Sequence, residues 1–548
     1  MLRFRPLTGL VALLVLFVPL LAGCGGGGGG GGDAYDDDAP PPRGGALTIV
    51  SGSENKGLEP LIERFAQSRN ARIEMVYRGS VDISLALQQG AAMPFDAVWP
   101  ANNLWIDLGD TERVVRHTER IMRSPVVFAV RCSLVDRFGW RDAEVRIADI
   151  LDAVEGGKLR FAMTSATQSN SGASFYLGAL HALAGGTEAL QAEALGRDDV
   201  RDNVKRLLRA VDRSSGSSGW LKDAYVARPQ RFDAMVNYEA MLIEANQALV
   251  ASGQEPLCAV YPSDGLTIAD SPLGYVDRGD DAKEQLFLDL QAHLLSPEVQ
   301  GQILDLGRRP GLLTVDASNA PASSWNPAWG VDPARTVSPV PLPRGPVIRQ
   351  ALELYQTVLR KPSWTVYVLD VSGSMEGDKL ASLKTAMRTL LEPDEAARYL
   401  LQAAPEDRHE VIAFSSRIRD HWKAAGNEPD DLRNLLYDVQ RLEAKGGTNM
   451  YRATAQGLMS LAERADTLEN YFPAVIVMSD GASKGQLDMV RAVLGEANFT
   501  RDVPIFTIAF GRDADMRQLE ELAELTAGRT FKARDDLVSV FRKAKGYN

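Results

Sequence analysis

At 548 residues the chain has room for two or three domains. Its 72 acidic and 60 basic side chains leave a net charge of −12, which argues against nucleic-acid binding. Composition is globular, with 45% hydrophobic and 24% charged residues, and no internal repeat or P-loop is present.

Arg3 and Arg5 precede an apolar stretch from Leu10 to Leu21, and Leu21-Ala22-Gly23-Cys24 ends it. The length and flanks fit a cleaved signal peptide rather than a permanent membrane helix, although an uncleaved anchor is the alternative. Ending in a cysteine after small residues, the segment 1–23 resembles a bacterial lipoprotein signal. That resemblance implies lipidation of Cys24 and a cell-membrane location facing the periplasm or the exterior. Two acyl chains suffice for stable anchoring, whereas one binds only marginally. Residues 24–45 are rich in Gly, Asp and Pro, including an unbroken glycine run from Gly25 to Gly32, and predict a tether. Such a stretch has almost nothing to bury and maximal chain entropy. As a coil it spans roughly 20–25 Å. No later apolar run is long enough to span a bilayer.

Residues 46–360 open as β-α-β-α-β. Strands are predicted over 47–50, 72–77 and 95–99, with helices over 58–67 and 81–89 between them. Later segments continue the series in order: Ser124–Val130, Arg160–Ser165, Gln168–Tyr176, Tyr261–Gly265 and Ser271–Tyr275. The order resembles type II periplasmic solute-binding proteins, and implies two lobes closing on a ligand, with 124–130 and 261–275 as crossings between them. Candidate ligand contacts are Ser51, Ser53, Asn102, Asn103, Ser169, Ser171, Tyr238 and Glu239. Hydroxyls and N–H groups at helix starts suit a small polar or anionic solute. Helix capping is the competing use of each serine, and Glu239 is as compatible with solvent or a structural partner. With Cys24 set aside, Cys132 and Cys258 remain. The resemblance implies that their strands run side by side in opposite directions near the hinge. Their α-carbons would then fall within the ~4.4–6.8 Å a disulfide needs, two buried thiols being the alternative. Pro310–Pro346 is rich in proline, alanine and serine, and Trp325 and Trp329 indicate packing against a lobe. A helix is predicted over 345–360, and the boundary to the next domain at 360/361.

Trp364–Leu369 then reads as a strand, leading into Asp370-Val371-Ser372-Gly373-Ser374. Gly446-Gly447-Thr448-Asn449 opens a helical run, and Val475–Met478 is an apolar strand leading into Ser479-Asp480-Gly481. Any of these alone is compatible with an ordinary turn. Together, at strand and helix ends, they offer oxygens from Asp370, Ser372, Ser374, Thr448 and Asp480 to a hard cation. Further strands at 409–414 and 503–510 alternate with helices over 380–391, 430–442 and 516–526, which predicts a doubly wound, mostly parallel sheet. Residues 361–548 resemble the von Willebrand factor A (VWA) domain, a Rossmann-like fold, and its metal-ion-dependent adhesion site. The resemblance implies Mg²⁺ (or Mn²⁺/Ca²⁺) held directly by Ser372, Ser374 and Thr448, with Asp370 and Asp480 direct or through water. It also implies a partner protein whose acidic side chain completes the metal.

The fold class expected is thus α/β throughout: a two-lobed domain followed by a doubly wound one. No enzyme is expected. The one Gly-x-Ser-x-Gly match, Gly481–Gly485, lacks the later histidine a hydrolase of that type needs, the last being His421. The leading expectation is a surface-anchored lipoprotein that binds a partner protein through the metal. A solute receptor for an ABC-type transporter, with the VWA domain as a docking accessory, is the rival. A cofactor for an AAA+ ATPase conflicts with the export signal.

Overall fold

The computed structural model describes residues 44–548 apart from 312–315, 481, 498, 500–501, 512–513, 527, 534–539, 543 and 545–548. The signal segment, Cys24 and the tether to residue 43 lie outside the described residues, as does Gly481. Among the described residues no helix is long and apolar enough to cross a membrane.

The strands of the first half, in chain order, are β1 (Ala46–Ser51), β2 (Arg72–Tyr77), β3 (Ala97–Trp99), β4 (Val115–Arg120), β5 (Met122–Arg131) and β6 (Phe161–Thr164). They continue with β7 (Val211–Ser215), β8 (Ala234–Tyr238), β9 (Leu257–Val260), β10 (Ile268–Ala269), β11 (Pro272–Val276) and β12 (Arg309–Pro310). The second half adds β13 (Ser363–Asp370), β14 (Arg408–Phe414), β15 (Ile418–Ala425), β16 (Phe472–Ser479), β17 (Ile505–Phe510) and β18 (Thr530–Ala533).

Lobe 1 is the sheet β2-β1-β3-β11-β4, and lobe 2 is built on β10-β5-β8-β6-β7. β5 leaves lobe 1 and runs through lobe 2, pairing antiparallel with β8, β9, β10 and β12 along its length. The return passes through β10 to β11, which re-enters the lobe 1 sheet antiparallel to β3. Two strands therefore cross between lobes in opposite directions. The helix expected over 58–67 is Glu59–Arg69, preceded by a 3₁₀ turn, Ser53–Leu58. Pro60 sits in its first turn, where a missing N–H costs nothing.

The carboxyl domain is one sheet, β15-β14-β13-β16-β17-β18, parallel except for the antiparallel edge strand β15. Every residue of β13 and of β16 is buried, as a parallel sheet covered on both faces requires. Side chains alternate faces with the strand period of two. Tyr367 and Leu369 join the core with Ile476 and Met478, while Trp364, Val366 and Val368 join the opposite core with Val475 and Val477.

Between the halves, the chain does not run free. Trp325 and Trp329 are buried against the β5–β9 face, the Trp325 indole donating to the Leu304 carbonyl at 2.8 Å. Helix Gly345–Leu354 continues as a π turn, Tyr355–Leu359. Its Ile348, Leu352 and Tyr355 share one apolar core with Phe161 and Tyr176 of lobe 2 and with Leu400 and Phe472 of the carboxyl domain. Arg360 and Asp407, both buried, close the junction: Asp407 accepts from the guanidinium and, at 2.7 Å, from the Ser363 amide.

Candidate metal and solute sites

β13 and β16 are adjacent and parallel, with Leu369 opposite Met478, so Asp370 and the Ser479-Asp480 pair emerge together at the carboxyl edge of the sheet. This is where open α/β sheets gather ligands. Asp370 is fully buried. One carboxylate oxygen accepts from the Ser372 amide at 2.8 Å, the other from the Ser479 hydroxyl at 2.7 Å. The Ser372 and Ser374 hydroxyls lie 3.1 Å apart, and Ser374 donates to Asp480 at 2.8 Å. The third loop is tied in through its backbone. Gly373 N donates to Gly446 O at 2.9 Å and Lys484 N to Thr448 O at 2.9 Å. The structure thus brings Asp370, Ser372, Ser374 and Asp480 into one hydrogen-bonded set with Thr448 on the adjoining loop.

Electrostatics here are dominated by two buried carboxylates. Burial lifts the Asp370 carboxyl above the ordinary carboxylate range against the pull of its Ser479 and Ser372 hydrogen bonds, and the neighbouring Asp480 charge adds to the rise. Asp480 is neutralised by the Lys379 ammonium at 2.6 Å. Lys379 went unnoticed in the sequence reading, yet there was a signal. It stands in the first turn of helix Asp378–Leu391, where the helix dipole disfavours a cation unless something offsets it. Ser479 was also missed, although it adjoins Asp480. Among the described residues no group of three or more His, Cys, Asp or Glu side chains is gathered to hold a metal. The donors at this site are two carboxylates and hydroxyls, a hard-oxygen set that fits Mg²⁺, which keeps part of its water shell. Asp370, buried with no ion pair among the described residues, is the group such a charge would satisfy.

In the first half the lobes touch. Ser53 of lobe 1 accepts from the Ser217 hydroxyl at 2.7 Å and the Gly219 amide at 3.0 Å, both in lobe 2. The Trp105 indole donates to Asn170 at 2.7 Å. Ser51 accepts from Asn55, while Ser169 and Ser171 both meet the Ser218 hydroxyl. Asn102 bonds the Ile268 carbonyl and caps Leu104, and Asn103 bonds Asp270 and Asp107. Tyr238 accepts from Asn170 at 3.1 Å. Glu239 is taken up by structure: the Arg309 guanidinium grips both its oxygens at 2.7 and 2.8 Å, and Tyr261 donates to it as well. A void of about 10 Å³, room for about one water molecule, remains by the crossing strands, lined by Glu54, Ser124, Tyr238 and Ser271 among others. Glu54, overlooked in the sequence, is 7% exposed with one carboxylate oxygen unpartnered. Burial pushes its carboxyl up to about 7. Cys132 and Cys258 form a disulfide with α-carbons 4.9 Å apart, at the end of the β5–β9 pairing.

Residues 47–308 match the family model for bacterial extracellular solute-binding protein, and residues 366–541 that for the von Willebrand factor type A domain. The chain joins an extracellular solute-binding domain to a VWA domain. Among curated proteins it is similar to inter-alpha-trypsin inhibitor heavy chain H1 of Bos taurus, 25% identical over 178 residues, covering 31% of this chain and 18% of that protein. Heavy chain H2 of Homo sapiens is 28% identical over 177 residues, covering 30% and 17%. The chain therefore spans under a fifth of these relatives' length. Solved structures similar to it include the ferric binding protein from Campylobacter jejuni, with a TM-score of 0.39 and 14% identity, covering 56% of this chain and 98% of that one. The sulfate-binding protein SubI from Mycobacterium tuberculosis H37Rv has a TM-score of 0.37 and 18% identity, covering 55% and 95%. A von Willebrand factor type A protein from Catenulispora acidiphila has a TM-score of 0.28 and 20% identity, covering 35% and 44%.

Proposed function

We propose that this protein is a lipid-anchored, exported binding protein whose VWA domain grips a partner protein through a divalent cation, with no catalytic role. The observation that carries the reading is the convergence of Asp370, Ser372, Ser374 and Asp480 at the carboxyl edge of the VWA sheet. When bound, Mg²⁺ would supply an open coordination position for a carboxylate of the partner. Ser372, Ser374, Thr448, Asp370 and Asp480 would hold the metal, and Lys379 would have to yield Asp480 to it. The solute-binding domain adds a second recognition surface. Its candidate ligand is a small polar or anionic solute, met by hydroxyls and N–H groups at helix starts.

Calorimetry of the full chain tests the reading. One Mg²⁺ or Mn²⁺ is expected to bind, and Asp370→Ala is expected to abolish the heat while circular dichroism stays unchanged. Absence of any binding by the wild-type protein at millimolar metal would end the proposal. The second reading, a solute receptor for an ABC-type transporter, is favoured by the two-lobed domain itself. It predicts that solute, rather than metal, governs association with a permease.

A further inference from the structure

The junction of the two solute-binding lobes holds a guanidinium supplied by the VWA domain. Val540, Phe541 and Ala544 are buried in a core of that domain, the Phe541 ring 6.2 Å from Tyr367. On a helix these positions share one side. Arg542 lies off that side, and its chain reaches out of the VWA domain to a place where it is only 3% exposed. There Nε donates to Asp82 at 2.5 Å and Nη2 donates to the Thr167 carbonyl, while the Arg542 carbonyl accepts from the Gln168 side-chain Nε2. Asp82 belongs to lobe 1, in the first turn of helix Ser80–Leu87, and Thr167 and Gln168 belong to lobe 2, just before helix Asn170–Leu183. The lobes meet directly at the same spot, where Val81 N donates to Gln168 O at 3.1 Å.

A charge taken out of water at a cost of several kcal/mol persists only where a counter-charge and hydrogen bonds meet it. Here the counter-charge comes from lobe 1 and a carbonyl acceptor from lobe 2, while Nη1 has no hydrogen-bond partner among the described residues. Further contacts of the VWA domain among the described residues fasten it to lobe 2. Trp220 packs against its core, Arg228 and Arg231 pair with Asp502, and Arg209 pairs with Glu406. Parting the lobes therefore leaves Arg542 with lobe 2 and breaks its bond to Asp82.

We infer that the lobe junction is a guanidinium-binding site filled in cis by Arg542, through which the VWA domain holds the solute-binding lobes shut. The inference does not depend on the metal. Solute exchange then requires this side chain to withdraw, and a guanidinium-bearing ligand competes with it.

Hydrogen exchange of the full chain tests this at residues 79–87 and 165–172. Arg542→Ala and Asp82→Asn are each expected to speed exchange in both segments by about tenfold, and the double variant to go no further than either alone. Millimolar methylguanidinium, but not methylammonium, should restore protection to Arg542→Ala and leave Asp82→Asn unaltered. Unchanged exchange in either single variant, or effects that multiply in the double variant, would overturn the inference. If Arg542→Ala fails to fold, Asp82→Asn and Arg542→Lys carry the same comparison, and wild-type exchange in both would refute it.

Discussion

Glu54 is a carboxyl held where water is scarce, and its titration makes stability depend on pH. Its folded value, about 7, lies above the ordinary 4.5 because burial penalises the charged form. The folded state therefore binds the extra proton between these values. The associated stability is fully present below 4.5 and is lost as pH rises through about 7, amounting to about 3 kcal/mol. Glu54→Gln should flatten that dependence, with urea midpoints in acid and mildly alkaline buffer converging in the variant and diverging in the wild type. Glu239 presents the opposite case, a buried acid fully matched by Arg309. Glu239→Ala strands a guanidinium and is expected to cost about 3–5 kcal/mol in denaturant unfolding. A solute-contact role alone would leave stability unchanged. Residue types at strand ends made Asp370, Ser372, Ser374 and Asp480 legible as a candidate set. Arg309 was not legible, because a lone basic side chain has many uses until its acidic partner is placed, whereas Lys379 carried the signal of a cation in a helix's first turn.

At the scale of elements, the apolar runs of β13, β14 and β16 and the helices between them could be read from periodicity, because both faces of a parallel sheet are buried. The edge strand β15 could not. It mixes half-buried and exposed residues with no strict alternation and none buried, so Ile418-Arg419-Asp420-His421 carries no apolar signal, and only pairing with β14 makes it a strand. The short β18 owes its form to β17 in the same way. Helix Asn170–Leu183 shows what periodicity also conceals. It is buried on nearly every side, and its Gly178 lets the backbone of Gly265 approach so closely that an added β-carbon would lie 2.0 Å from that carbonyl. Gly178→Ala should therefore destabilise lobe 2 by about 1–3 kcal/mol or more. Thermal unfolding measures it, and a neutral result would mean the helix shifts freely.

Across the whole molecule, the continuous core from lobe 2 through helix Gly345–Leu354 to the VWA sheet means the domains are not beads on a string; Trp325 and Trp329 signalled packing on a lobe, but nothing in 310–346 signalled a core shared with the VWA domain. The disulfide acts at this scale too. It joins residues 126 apart, and in the chain-entropy view a loop that long contributes about 4–5 kcal/mol. Reductant should lower the melting temperature of the wild type and leave Cys132→Ser/Cys258→Ser unmoved. The same bridge fixes the path of force. If tension is applied between the amino-terminal side and a partner held by the VWA domain, it travels along β5 to Cys132, crosses two sulfur atoms to Cys258, and leaves along β9. Once the contacts of lobe 2 with the VWA domain have parted, the segment 133–257 hangs beside that covalent line as slack rope beside a knot, and its backbone bears load only after the bridge is cut.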